Sequence, residues 1–245
     1  MLFRSAPKGR PVVLVVGGSG GIGRAICLAF GTAGWNVGVH YRTRERDAAR
    51  TVTAVAKHGG RGLALQADIR DGKQVQEMVA RLMDRWQRLD VLICAAGQAV
   101  SDLVLRTSME DWTAMVDVNL TGTFHCLQAA GAVMVPRRSG SIVIIGSLSG
   151  AQGQQGQAAY AAAKAGLLGL VKTAAKEWGP YNVRVNAVFP GWHRTGLSGD
   201  AFPGTVGDHV LGRTPRLDAV AHSIVHLAQS EDASGQVWNL DSRTL

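Results

Sequence analysis

The chain has 245 residues, 46% of them hydrophobic and 18% charged, with a formal net charge of +8. That balance excludes a disordered or fibrous protein and supplies enough apolar material for a sizeable core. The positive charge fits nucleic acid, an anionic surface or an anionic small ligand. The basic residues are scattered, though, with short clusters such as Arg42, Arg44 and Arg46 and no aromatic-interleaved stripe, so no nucleic-acid partner is expected. The three cysteines, Cys27, Cys94 and Cys126, lie far apart in apolar segments. They suggest neither a metal motif nor a disulfide framework, and they predict buried thiols in a reducing, cytoplasmic setting. Residues 1–10 are basic without the apolar run of a secretory signal, and no apolar run approaches membrane-spanning length.

Taken in chain order, the first apolar run, 12–16, reads as a strand buried on both faces. It feeds straight into Gly17-Gly18-Ser19-Gly20-Gly21-Ile22-Gly23, and helical spacing follows over 21–32. Strand, glycine turn and helix form a phosphate-binding arrangement, because the backbone can approach a pyrophosphate and the helix start offers N–H groups. The spacing differs from Gly-x-Gly-x-x-Gly, and a turn built only for close packing reads similarly. The same stretch also fits the Gly-x-Ser-x-Gly elbow of hydrolases around Ser19. Its place on the first strand and the lack of a later Asp/His pair argue against that reading.

A second strand, 36–41, ends at His40-Tyr41-Arg42-Thr43-Arg44. In a dinucleotide fold this end faces the adenine ribose, where an acidic residue would bind the 2′-hydroxyl of NAD. Arg42 and Thr43, with Arg44 nearby, instead suit a 2′-phosphate and point to NADP(H). A helix over 44–57 stops at Gly59-Gly60, and strand 62–66 leads to Asp68, placed either to bind the adenine amino group or to cap a turn. Asp71 is a candidate cap for a helix over 73–87; strand 91–94 and one long helix over 109–135 come next.

Strand 141–145 ends just before Ser147, and a Gly/Gln-rich loop, 150–157, precedes a helix over 157–178. That helix carries Tyr160 and Lys164, whose spacing of four puts both on one face. A nearby ammonium favours phenolate, so the lysine is expected to lower the tyrosine pKa for acid–base work. Strand 183–189, a Gly/Pro-rich stretch over 195–215 expected to form a mobile lid, a helix over 218–229 and strand 236–240 complete the chain. His222 and His226 are four apart on a helix, but no carboxylate completes a metal site, so no metal is expected. The alternation predicts a Rossmann-type doubly wound parallel sheet of about seven strands with helices on both faces, all in one domain over 1–245.

In this setting the chain resembles the short-chain dehydrogenase/reductase family, and within it the 3-oxoacyl-(acyl-carrier-protein) reductase group. The resemblance covers roughly 11–241 and rests on Gly17-x-x-x-Gly21-x-Gly23, Asp68, Ala96-Gly97, Asn119, Ser147, Tyr160-x-x-x-Lys164 and Pro190-Gly191, in that order. It implies that Tyr160 protonates the carbonyl oxygen, Ser147 holds that oxygen, Lys164 binds the nicotinamide ribose and tunes the tyrosine, and Asn119 positions a relay water. It implies cofactor contacts from Gly17, Ser19, Gly20, Gly21, Ile22, Gly23, Arg42, Thr43, Asp68, Ile69, Ala95 and Gly97, with Tyr160, Lys164, Pro190, Gly191, His193 and Thr195 at the nicotinamide half. It also implies a homodimer or homotetramer paired through the helices over 109–135 and 157–178. The substrate implied is a 3-oxoacyl thioester on acyl carrier protein or CoA; Arg137 and Arg138 suit steering of an acidic carrier, or equally a solvated helix end. The rival readings are a reductase of another small carbonyl or alcohol and a catalytically silent dinucleotide sensor.

The chain departs from the family pattern at several points. Val16 replaces a threonine that often braces the turn, Gly20 replaces a frequent arginine of NADP(H) members, and Cys94-Ala95 replaces Asn-Asn. Each removes a side-chain bond that the family ordinarily makes.

Overall fold

The computed structural model describes residues 9–195 and 208–243. Seven parallel strands form one sheet in the order β3-β2-β1-β4-β5-β6-β7. These are β1 Val12–Val16, β2 Asn36–Tyr41, β3 Arg61–Gln66, β4 Val91–Cys94, β5 Gly140–Ile145, β6 Val183–Phe189 and β7 Val237–Asn239. The central strands are contiguous apolar runs because both faces are covered: β1 and β4 are buried at every position. One cluster packs Leu14, Leu92 and Ile142 against Met78, Leu127 and Leu167, and the other packs Val13, Ile93 and Val143 against Ile26, Phe30 and Ile224.

The helices are α1 Gly21–Thr32, α2 Glu45–Lys57, α3 Gly72–Trp86, α4 Met109–Val116, α5 Gly122–Arg137, α6 Leu148–Gln152, α7 Ala158–Trp178 and α8 Leu217–Gln229. Asp71 caps α3 as expected, accepting from the Lys73 and Gln74 N–H groups at 2.9 and 3.3 Å. The chain winds one way through β1, β2 and β3, then returns to the other side of β1 with β4. That reversal opens a crevice beyond the carboxyl ends of β1 and β4, the place where this architecture binds ligands.

Two expectations require correction. The single helix over 109–135 is interrupted by a π-helical turn, Asp117–Thr121, between α4 and α5. The loop over 150–157 is partly helical, because α6 starts at Leu148 with the Ser147 hydroxyl accepting from the Ser149 N–H at 3.2 Å. Of the expected lid, 196–207 lies outside the described residues. Among the described residues no helix is long and apolar enough to cross a membrane.

Candidate active site

A cleft of about 420 Å³ occupies the crevice at the carboxyl ends of β1, β2 and β4. Its lining brings together most of the residues expected from the sequence. The turn after β1 supplies Gly17, Ser19, Gly20, Gly21 and Ile22; the end of β2 supplies Arg42 and Thr43; Asp68 and Ile69 follow β3; Ala95 and Gly97 follow β4; Thr195 follows β6.

The turn is shaped by backbone approach. Gly17 has φ +85°, and a Cβ there would lie 2.7 Å from the Ala96 nitrogen. Gly23 does not line the cleft; its role is packing, since a Cβ would sit 2.2 Å from the Gly17 carbonyl oxygen. Helix α1 therefore starts directly against the turn. It has no acidic residue in its first turn and no side-chain cap, which leaves its N–H groups turned toward an anion. Thr195 closes the other side, 3.2 Å from the Cβ position of Gly21.

At the far end Arg42, Thr43 and Arg44 are exposed along the rim. The Arg44 Nη1 lies 3.6 Å from where a Cβ at Gly20 would be. The Arg44 guanidinium thus stands beside the glycine turn. Asp68 is held by Arg70, whose Nε donates to both carboxylate oxygens at 3.0 and 3.1 Å. That bond, with help from Arg42, keeps the Asp68 carboxyl below the usual carboxylate range.

At the inner end the cleft abuts Asn119 and Lys164: a Cβ on Gly97 would lie 2.8 Å from Asn119 Oδ1 and 3.7 Å from Lys164 Nζ. Asn119 is fully buried in the π-helical turn. Its amide donates to the Gln98 and Met115 carbonyls at 2.9 and 3.0 Å, and its oxygen accepts from the Gln98 N–H at 3.3 Å. The side chain therefore braces the segment after β4. π-Helical turns are frequent at functional sites because they turn a side chain out of helical register.

Tyr160 and Lys164 share one face of α7 near its start. The Ser147 hydroxyl is near enough to the Tyr160 phenol to favour its phenolate form. The expected lowering of the tyrosine pKa by Lys164 is not found: burial raises it, and the Ser147 hydroxyl opposes that rise. The physical reason is distance, because the ammonium stands 5.7 Å from the phenol ring centroid and donates instead to the Ile145 carbonyl at 2.9 Å. Burial pushes Lys164 itself down to about 8, with Cys94 acting in the opposite sense. Cys94 neighbours the Cys126 thiol behind this site and, with burial, pushes its pKa up; the family has an asparagine in place of Cys94. A second pocket of about 320 Å³ is lined by Leu148, Ser149, Gln152, Gly153, Gln154, Asp208 and Arg243, with neither Ser147 nor Tyr160 in its wall. Its walls are mainly polar.

Other expected residues lie apart. Pro190, Gly191 and His193 do not line the cleft. The His193 Nε2 is 2.9 Å from the Pro190 carbonyl, and Gly191 packs against Pro215 and Asp241. Arg137 donates to the Leu89 carbonyl at 3.1 Å and reaches Asp90 at 3.7 Å, while Arg138 donates to the Pro180 carbonyl at 2.7 Å and lies over Tyr181. Both arginines are thus engaged within the chain. His222 turns Nδ1 to the Asp218 carbonyl at 2.8 Å, whereas His226 packs beside Trp238. The sequence reading missed His40, a buried histidine that lines the cleft and bonds to Gly17. A lone histidine in an apolar strand reads as core; the available signal was that the Gly17 N–H needs an acceptor once Val16 offers none.

Sheet order, glycine turn and cleft together define a Rossmann-type dinucleotide-binding oxidoreductase. A family described as short chain dehydrogenase matches residues 11–205. A 3-oxoacyl-[acyl-carrier-protein] reductase of Synechocystis sp. is 38% identical over 234 residues, covering 94% of this chain and 95% of its own. A Staphylococcus epidermidis protein of the same name is 37% identical over 202 residues, 82% of either chain. Among solved structures, a short-chain alcohol dehydrogenase of Sinorhizobium meliloti superposes with a TM-score of 0.90 at 30% identity, covering 95% of both chains. An actinorhodin polyketide ketoreductase variant, solved with NADPH, gives 0.87 at 27% identity and covers 95% of this chain and 96% of its own. The chain belongs to the short-chain dehydrogenase family and is an oxidoreductase of the nicotinamide-dinucleotide type.

Proposed function

We propose that this chain, acting as one dinucleotide-binding domain over 1–245, is an NADPH-dependent carbonyl reductase. It converts a 3-oxoacyl thioester, carried on acyl carrier protein or CoA, to the 3-hydroxyacyl form. The observation that carries the reading is the grouping of Ser147, Tyr160 and buried Lys164 beside Asn119 and Gly97, at the inner end of the dinucleotide cleft.

The residues present fit a phosphorylated dinucleotide. The backbone at Gly17 leaves no room for a side chain, α1 presents open N–H groups, and the end of β2 carries Arg42, Thr43 and Arg44 with no carboxylate. Gly17, Ser19, Gly20, Gly21 and Ile22 would hold the pyrophosphate, Arg42 and Thr43 the 2′-phosphate, Asp68 and Ile69 the adenine end, and Ala95, Gly97 and Thr195 the inner half. Pro190, Gly191 and His193 would shape the nicotinamide end from behind. When bound, the reduced nicotinamide supplies a hydride to the carbonyl carbon.

Ser147 holds the carbonyl oxygen with its hydroxyl. Tyr160, kept protonated by burial, donates its proton to that oxygen as negative charge develops. Lys164, cationic over most of the range below about 8, binds the ribose and faces the phenol ring from 5.7 Å. Asn119 holds Gln98 and Gly97 against Lys164, where a relay water reaches the lysine.

The names of the Synechocystis and Staphylococcus relatives support the 3-oxoacyl substrate and an acyl carrier partner. A second reading, reduction of another small carbonyl, is supported by the likeness to a short-chain alcohol dehydrogenase and to a polyketide ketoreductase. Exposed Leu103, Val104, Leu105, Met109 and Phe124 on the α4–α5 side support pairing into a dimer or tetramer. Three free buried cysteines suit the cytoplasm.

The test is NADPH oxidation with acetoacetyl-CoA, NADH in parallel, and identification of the product. Formation of 3-hydroxybutyryl-CoA at a higher kcat/KM with NADPH supports the proposal. NADPH binding without turnover would shift the assignment to another carbonyl substrate.

A further inference from the structure

We propose that His40 is a positioning residue of the dinucleotide site: its neutral ring latches the glycine turn through the Gly17 N–H, and protonation releases that latch. The inference rests on the dinucleotide-binding reading of the cleft and adds a pH-sensitive element to it.

His40 is the fifth residue of β2 and only 3% exposed. Its Nδ1 accepts from the Gly17 N–H at 3.0 Å, and its Nε2 lies 3.1 Å from the Ala67 carbonyl oxygen. These partners define the tautomer. A backbone N–H can only donate, so Nδ1 carries no proton; a carbonyl can only accept, so Nε2 carries one. The ring thus spans from the turn after β1 to the segment after β3, across the cleft it lines. Gly17 has no slack with which to compensate, because its Cβ position lies 2.7 Å from the Ala96 nitrogen.

Protonation would set an Nδ1–H against the Gly17 N–H. Two donors cannot share that contact, so either the ring or the turn must move. The β3 partner of His40, Leu65, is apolar. Among the described residues the charged group acting on the ring is Asp68, itself drawn away by Arg70 and Arg42. Burial therefore prevails, and the His40 pKa lies below its ordinary value. The latch is closed at neutral pH and opens as pH falls.

The experiment measures the Kd of NADH by nicotinamide fluorescence from about pH 8 down to the lowest pH at which the protein stays folded. NADH is chosen because it lacks a 2′-phosphate that would titrate in this range. Wild type is compared with His40→Asn, which keeps an acceptor and a donor but does not titrate, and with His40→Leu, which has neither. Melting followed by circular dichroism confirms folding at each pH. The wild-type Kd should be flat near neutrality, rise on acidification and level off about tenfold or more above its neutral value. His40→Asn should stay flat over the same range, and His40→Leu should bind about tenfold more weakly throughout. Parallel wild-type and His40→Asn profiles, or wild-type affinity in His40→Leu, would overturn the inference alone. No binding of NADH or NADPH by wild type at any pH would overturn the reading of the cleft as well.

Discussion

Lys164 lies one helical turn beyond Tyr160, yet its ammonium donates to the Ile145 carbonyl at 2.9 Å and stands 5.7 Å from the phenol ring centroid. The pair is close enough to interact through space without a direct bond. Burial therefore dominates each group separately, raising the tyrosine pKa and lowering the lysine pKa. In the ligand-free protein the phenol is a protonated acid throughout the neutral range, which is the form that carbonyl reduction requires.

The buried lysine has a stability consequence. Its pKa falls to about 8 in the folded chain from 10.5 unfolded, so the unfolded chain binds more protons between those values. Its contribution to folding stability therefore rises with pH across that window, and the charge-burial cost is present in full below about 8. Lys164→Met should lack this rise while losing turnover. Denaturant melts of both proteins from neutral to alkaline pH check it, and identical pH slopes would refute the burial argument.

Arg42 at the end of β2 is assigned to the 2′-phosphate. Arg42→Ala should raise KM for NADPH by about tenfold, the scale of a lost charge-assisted hydrogen bond, and leave KM for NADH within about twofold. Initial rates with both cofactors decide the matter. An equal effect on both would remove Arg42 from cofactor discrimination.

Gly23 is a packing glycine, and its substitution should act through the turn. In Gly23→Ala the new methyl would lie 2.2 Å from the Gly17 carbonyl oxygen, which is backbone and cannot swing aside. A loss of about 2 kcal/mol or more in stability is expected, together with weaker dinucleotide binding. Urea melts and NADPH titration measure the two effects. An alanine variant with wild-type affinity would show that the turn tolerates displacement of α1.

The strands were legible in the sequence because the central ones are short apolar runs buried on both faces; β1, β2, β4 and β6 keep the expected limits. The cleft was legible for the same reason: the glycine turn, the basic end of β2 and Tyr160-x-x-x-Lys164 are local patterns. The π-helical turn at Asn119 was not, since one extra residue in a turn barely disturbs an apolar repeat. Helix α6 was hidden by Gly150, which reads as loop but allows close packing: a Cβ there would lie 2.7 Å from the Lys164 backbone. Two partnerships depend on distant contacts that no local pattern reports, Cys94 with Cys126 and His40 with Gly17. Arg137 and Arg138 were open between two readings, and their bonds to Leu89 and Pro180 are intramolecular.

The most direct test of the account compares Tyr160→Phe with wild type, measuring turnover of acetoacetyl-CoA and NADPH affinity on the same preparations. The account predicts a fall in kcat of about a hundredfold or more, the scale of a lost general acid, with NADPH Kd within about twofold of wild type. Near-normal turnover in the variant would contradict the assignment of Tyr160 as the proton donor.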